Sequence, residues 1–132
     1  MTEPTRDSAT EPAETDAIAP TDPEDLKIIT LARAARARTT ALQGAAVRDT
    51  DGRTYAAVSV QLADLKLSAI TVAVAMAASS GAEGLEAVAL AAETTPSEQD
   101  LAIVRAMPGE GVVLWFTDIN GEVKGLVEVN DD

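Results

Sequence analysis

Fourteen consecutive positions from Leu67 to Ser80 carry no charge, no Gly and no Pro, and five of them are Ala. A run without a polar face predicts a buried segment rather than a surface helix. Its length and Ala content predict a helix over Leu67–Ser80, against the weak strand preference of Val72 and Val74. About fourteen residues fall short of the roughly twenty that span a bilayer. Upstream, Asp22 as N-cap, Pro23 at the first helical position and two further acids predict the start of a first helix. Its buried stripe is Ile28, Leu31, Ala32 and Ala35. Arg33, Arg36 and Arg38 lie near its C-terminal end. They have the chemistry to grip a phosphate, but a solvated face at a helix C-terminus accounts for them without a ligand.

Between the two helices, Gly44–Asp49 and Arg53–Val60 flank Asp51-Gly52, the strongest short-range hairpin signal. Gln61–Lys66 leads into the central helix, and Gly81–Gly84 closes it. Leu85–Ala92, apolar almost throughout, predicts an internal strand. Thr95 as N-cap with Pro96 behind it and Glu98 at the third helical position predicts a capping box for a helix reaching Met107, where Pro108-Gly109 stops it. Val112–Phe116 and Glu122–Val129 flank Asn120-Gly121, a second hairpin turn. The order α-β-β-α-β-α-β-β predicts an α/β fold: one mixed five-stranded sheet with helices on both faces.

Composition narrows the function classes. The 132 residues have room for one domain, and the core must be aliphatic, since Tyr55, Trp115 and Phe116 are the whole aromatic complement. Cys and His are both missing, which excludes disulfides, thiolate or imidazole metal ligands, and an imidazole base. Net charge is -12, of which -7 falls in residues 1–25. A Thr/Glu/Pro/Ala/Asp-rich segment over residues 1–21 cannot offset its ordering entropy by burial and is expected to be a disordered acidic tail ahead of a domain at 22–132. No clustered Lys/Arg points to nucleic acid or an anionic membrane. The N-terminus lacks the apolar stretch of a signal peptide, so a soluble cytoplasmic protein is expected. Arg outnumbers Lys and Ala is abundant, which suits a high-GC bacterium.

From Asp25 onward, the Gly44-Ala45-Ala46-Val47 strand, the Asp51-Gly52 hairpin, the central helix and the Pro96-led helix resemble the small homotetrameric cytidine deaminases. The resemblance implies a three-layer α-β-α fold and a homo-oligomer, a tetramer by analogy. In that family the central helix opens Cys-Ala-Glu and the later helix opens Pro-Cys-x-x-Cys. Three thiolates hold zinc, and the Glu moves protons to and from the zinc-bound water. Here those motifs stand as Ser68-Ala69-Ile70 and Pro96-Ser97-Glu98-Gln99-Asp100. The zinc-ligand positions are thus Ser68, Ser97 and Asp100, and the acid/base position is Ile70. The family's ribose-holding Asn-x-Glu corresponds to Ser59-Val60-Gln61, and the Phe three residues before Gly44 is Ala41. Ala41 and Glu98 complete the residual pocket.

Serine hydroxyls do not replace thiolates on zinc, and isoleucine moves no proton. The expectation is therefore a pseudoenzyme without catalytic residues or cofactor. It would be kept as an oligomeric scaffold, a module for an unidentified protein partner, or a nucleoside sensor. The alternative is a related hydrolase acting on nucleosides through Glu98, Asp100 and Asp118 gathered on a hard cation such as Mg²⁺. For individual residues the plainer assignment is favoured: Glu98 and Asp100 in a helix's first turn, Ser68 at a helix start, Ile70 as core.

Overall fold

The computed structural model describes residues 19–129. The acidic tail expected over 1–21 therefore falls, but for its last three residues, outside them. Helix α1 (Pro23–Thr39) is followed by strands β1 (Gly44–Asp49), β2 (Thr54–Val58), β3 (Val60–Gln61) and β4 (Lys66–Leu67). Helix α2 (Ala69–Ser79), strand β5 (Leu85–Ala91), helix α3 (Glu98–Arg105), and strands β6 (Val113–Thr117) and β7 (Val123–Glu128) complete the chain. The main sheet runs β2-β1-β5-β6-β7, with β5 and β6 parallel and the other neighbours antiparallel. The expected mixed five-stranded sheet is present, and β5 is internal as its apolar run requires.

Period-two alternation splits the strands between two cores. One face offers Ala46, Ala87, Ala89, Ala91 and Trp115 to Ile28, Ile29 and Ala32 of α1. The other packs Val47, Val88, Leu90 and Leu114 against Ile70, Ala73, Val74 and Ala77 of α2 and Val104 of α3. Small side chains on the first face let α1 come close. A Cβ on Gly44 would lie 2.8 Å from Arg36 Cβ and closer still to the Ala32 carbonyl, so only glycine fits that crossing. Leu31 is half-buried, and Ile29 takes the place expected for it.

A charged network ties α1 to the sheet. Arg48 donates to Asp25 (3.0 Å) and to Glu86 (2.9 Å), and the Trp115 indole N–H donates to the second Asp25 oxygen (3.1 Å). Burial works against the Arg48 charge, but the bonds to Glu86 and Asp25 outweigh it and hold its pKa above the ordinary value. Asp22 caps α1 by accepting from Glu24 N (2.9 Å), with Pro23 at the helix start as its chemistry predicts. In the β1–β2 turn, Asp49 is fully buried and accepts from Asp51 N, Arg53 N and Tyr55 OH. Gly52 takes φ +86° there, the left-handed region that an Asp-Gly turn uses.

Three expectations need correction. The central helix starts at Ala69, not Leu67, because Leu67 pairs with Val60 in a two-stranded ribbon of β3 and β4. That helix is not buried all round: Ala75, Met76, Ala78 and Ser79 are exposed on its outer side. Helix α3 is capped by Ser97 rather than Thr95, with Asp100 rather than Glu98 closing the capping box. No helix among the described residues is long and apolar enough to cross a membrane.

Candidate functional site

Two helix starts face each other at the C-terminal side of the sheet, and their cap residues meet. Ser68 caps α2, its Oγ accepting from Thr71 N at 3.1 Å. Ser97 caps α3, its Oγ accepting from Asp100 N at 3.0 Å. Across the gap Ser68 Oγ lies 2.7 Å from Asp100 Oδ1. A carboxylate only accepts, so the Ser68 proton goes to Asp100, and the Thr71 hydroxyl, 2.9 Å away, donates to Ser68. The other Asp100 oxygen lies at the outer limit from Ser97 N, 3.5 Å. Asp100 is 3% exposed, so this short charge-assisted bond is sheltered from water. Ser68, Ser97 and Asp100, thirty-two residues apart at the extremes, are thereby brought together.

The cluster does not suit zinc. Each hydroxyl is already a helix cap, the carboxylate is taken by Ser68, and neither soft thiolate nor imidazole is present. Nor do carboxylates gather instead: among the described residues no group of three or more His, Cys, Asp or Glu is placed to hold a metal ion. Glu98 is exposed, and Asp118 accepts from Asn120 N and Glu122 N of its own turn. The contacts that hold the cluster together are hydrogen bonds.

Beside Ser68 opens a cavity of about 420 Å³, within the range that holds small ligands. Its polar wall carries Arg36, Gln43, Ser59, Gln61, Lys66 and Ser68. Leu42, Leu67 and Ala92 form apolar patches, and Glu93 and Thr94 close one side. Ser59 is fixed on both sides of its peptide: its N–H donates to the Gln43 carbonyl and its Oγ accepts from Gln43 N, each at 3.1 Å. The Gln43 side chain in turn accepts from Ala69 N at 3.0 Å and so ties the α1–β1 loop to the start of α2.

Of the site residues read from the sequence, Ser59, Gln61 and Ser68 line this cavity. Ile70 is fully buried in the core and is not among the lining residues, so it does not plug the opening. Ala41 and Glu98 are also outside the wall, which passes through Leu42 and Gln43 instead. Arg36, Gln43 and Lys66 were not named as site residues. Sequence groups Arg36 with Arg33 and Arg38, which are exposed, whereas Arg36 is half-buried where α1 crosses Gly44.

A family model described as cytidine deaminase-like matches residues 21–121. Among solved structures, cytidine deaminase from Burkholderia pseudomallei superposes with a TM-score of 0.69 at 22% identity, over 80% of this chain and 92% of that one. Cytidine deaminase from Mycobacterium leprae gives 0.59 at 20% identity, over 74% and 89% of the two chains. That from Mycobacterium tuberculosis gives 0.58 at 22%, over 67% and 80%. A search of the curated proteins finds no match.

Proposed function

The chain belongs to the cytidine deaminase-like family, and from that premise we propose that it binds a nucleoside-class ligand without turning it over. The carrying observation is the bond from Ser68 to Asp100, which fills with an internal contact the place where the family resemblance puts a metal. Deamination in that family uses a zinc-activated water and a carboxylate that shuttles protons. Here the corresponding positions are two capping hydroxyls, a committed carboxylate and a core isoleucine. The adjoining cavity stays open, with Ser59 and Gln61 on its wall, so binding survives where chemistry does not. The exposed apolar side of α2, centred on Met76, supports assembly into a homo-oligomer.

The test is direct. Purified full-length protein is assayed for deamination of cytidine and deoxycytidine by ultraviolet absorbance, for zinc by elemental analysis, and for cytidine binding by calorimetry. Binding without turnover and without stoichiometric zinc is expected. Measurable turnover, or about one zinc per chain, overturns the non-catalytic reading. Absence of any binding overturns the nucleoside reading.

A further inference from the structure

Arg36 poses a problem that the fold alone does not answer. Its Nε is shielded from solvent and has no hydrogen-bond partner among the described residues. A buried donor left unmet is costly, and for a charged group more so. The side chain is not idle packing on a remote surface, since it forms part of the cavity wall beside Ser68. Its root is fixed as well, because α1 sits directly over Gly44 at this residue. A second cation, Lys66, lines the same cavity and makes no ion pair among the described residues. Glu93 is the one acid on the wall, and neither cation is bonded to it. Two unpaired cations against one acid run counter to a chain whose net charge is -12.

We propose that the ligand of this cavity carries a phosphate, with the Arg36 guanidinium as its anchor and Lys66 as a supporting charge. Guanidinium presents donors in a rigid fork that matches phosphate oxygens, and an ammonium adds a point charge. Gln43, Ser59 and Gln61 then face the uncharged remainder of the ligand, which the apolar wall at Leu42 and Leu67 flanks. The inference rests on the nucleoside reading above and makes its ligand a phosphorylated one; free phosphate shares the anchoring chemistry and is the other source.

The full-length chain is titrated at low salt with cytidine, cytidine monophosphate and inorganic phosphate, each followed by calorimetry. Cytidine monophosphate is expected to bind at least about ten-fold tighter than cytidine, an advantage that shrinks as salt is added. Arg36→Gln removes that advantage, whereas Arg36→Lys retains part of it. Phosphate binding as tightly as the nucleotide keeps the anion site and identifies free phosphate as its source. If cytidine binds and the monophosphate binds no better, the phosphate proposal falls and the nucleoside reading stands. If phosphate and the monophosphate bind and cytidine does not, the anion site stands and the nucleoside reading falls. Failure of all three to bind overturns both, and an advantage that survives Arg36→Gln overturns Arg36 as the anchor.

Discussion

Replacing Ser68 and Asp100 with Ala, singly and together, measures the contact on which the site rests. Ser68→Ala removes an N-cap, worth about 1 kcal/mol. It also removes the 2.7 Å bond to a carboxylate that is 3% exposed. Hydrogen bonds to charged groups contribute about 1.5–3 kcal/mol, and little solvent is present to screen this one. Each single change should therefore cost about 3 kcal/mol, Asp100→Ala losing the same bond and about 0.5 kcal/mol of interaction with the helix end. The double variant should cost about 2 kcal/mol less than the sum, because the shared bond is lost only once. Urea unfolding read from Trp115 fluorescence is the assay. Trp115 is the single tryptophan, 6% exposed and bonded to Asp25, so its signal reports on the fold. All four proteins are compared at one concentration, since assembly shifts apparent stability. A coupling below about 0.5 kcal/mol would show that the two side chains do not interact, and the convergence of the two helix starts would be refuted.

Three further outcomes follow from the same geometry. The triple variant Ser68→Cys, Ser97→Cys, Asp100→Cys should take up zinc, since structural sites bind with apparent free energies on the order of 10 kcal/mol, yet remain inactive for want of a proton carrier at Ile70; a folded variant that binds no zinc counts against the correspondence. Gly44→Ala should destabilise by about 1–3 kcal/mol, because the new methyl meets helix backbone that must shift as a unit; a neutral result in thermal unfolding would contradict the tight α1–β1 crossing. Burial pushes the Asp49 carboxyl up, but bonds from Arg53 N, Tyr55 OH and Asp51 N, with the Arg53 charge, outweigh it and hold the pKa below the usual value. A lowered folded pKa contributes stability above the unfolded value of about 3.9 that is lost as pH falls through the folded one, so the stability gap between the natural protein and Asp49→Asn should be widest near neutrality and narrow in acid; a pH-independent gap refutes the assignment.

Much of this was legible residue by residue, and the exceptions share a cause. Asp22-Pro23, Asp51-Gly52 and Asn120-Gly121 act over a few positions, and each turn or cap stands where its chemistry put it. The start of α3 holds two Ser/Thr-x-x-acid spacings, Thr95 with Glu98 and Ser97 with Asp100. Local rules favour the first, and the second, which forms, coincides with a bond to Ser68 thirty-two residues away. The β3–β4 ribbon has two residues per strand, too few for any alternation to register. The meeting of Ser68, Ser97 and Asp100 followed from the resemblance, which carries three-dimensional information that the spacing lacks. The network of Asp25, Arg48 and Trp115 had no such guide, since its members belong to a helix and two strands up to 90 positions apart. Arg36 could not be told apart from Arg33 and Arg38, because sequence gives helix phase but not what lies beneath a given turn.

The central position of β5 has a kinetic side. Strands β1 and β2 join through a tight turn, as do β6 and β7, so each hairpin forms from contacts close in sequence. Neither hairpin touches the other in the sheet; every backbone bond that joins them passes through β5. Its pairing with β1 closes a loop of about forty residues that contains α2, and its parallel pairing with β6 closes another that contains α3. Loop-closure entropy is thus concentrated in the docking of one seven-residue strand, and the rate-limiting event of folding belongs there. Substitutions along Leu85–Ala91 should slow refolding, while those in either hairpin turn chiefly alter the rate of unfolding.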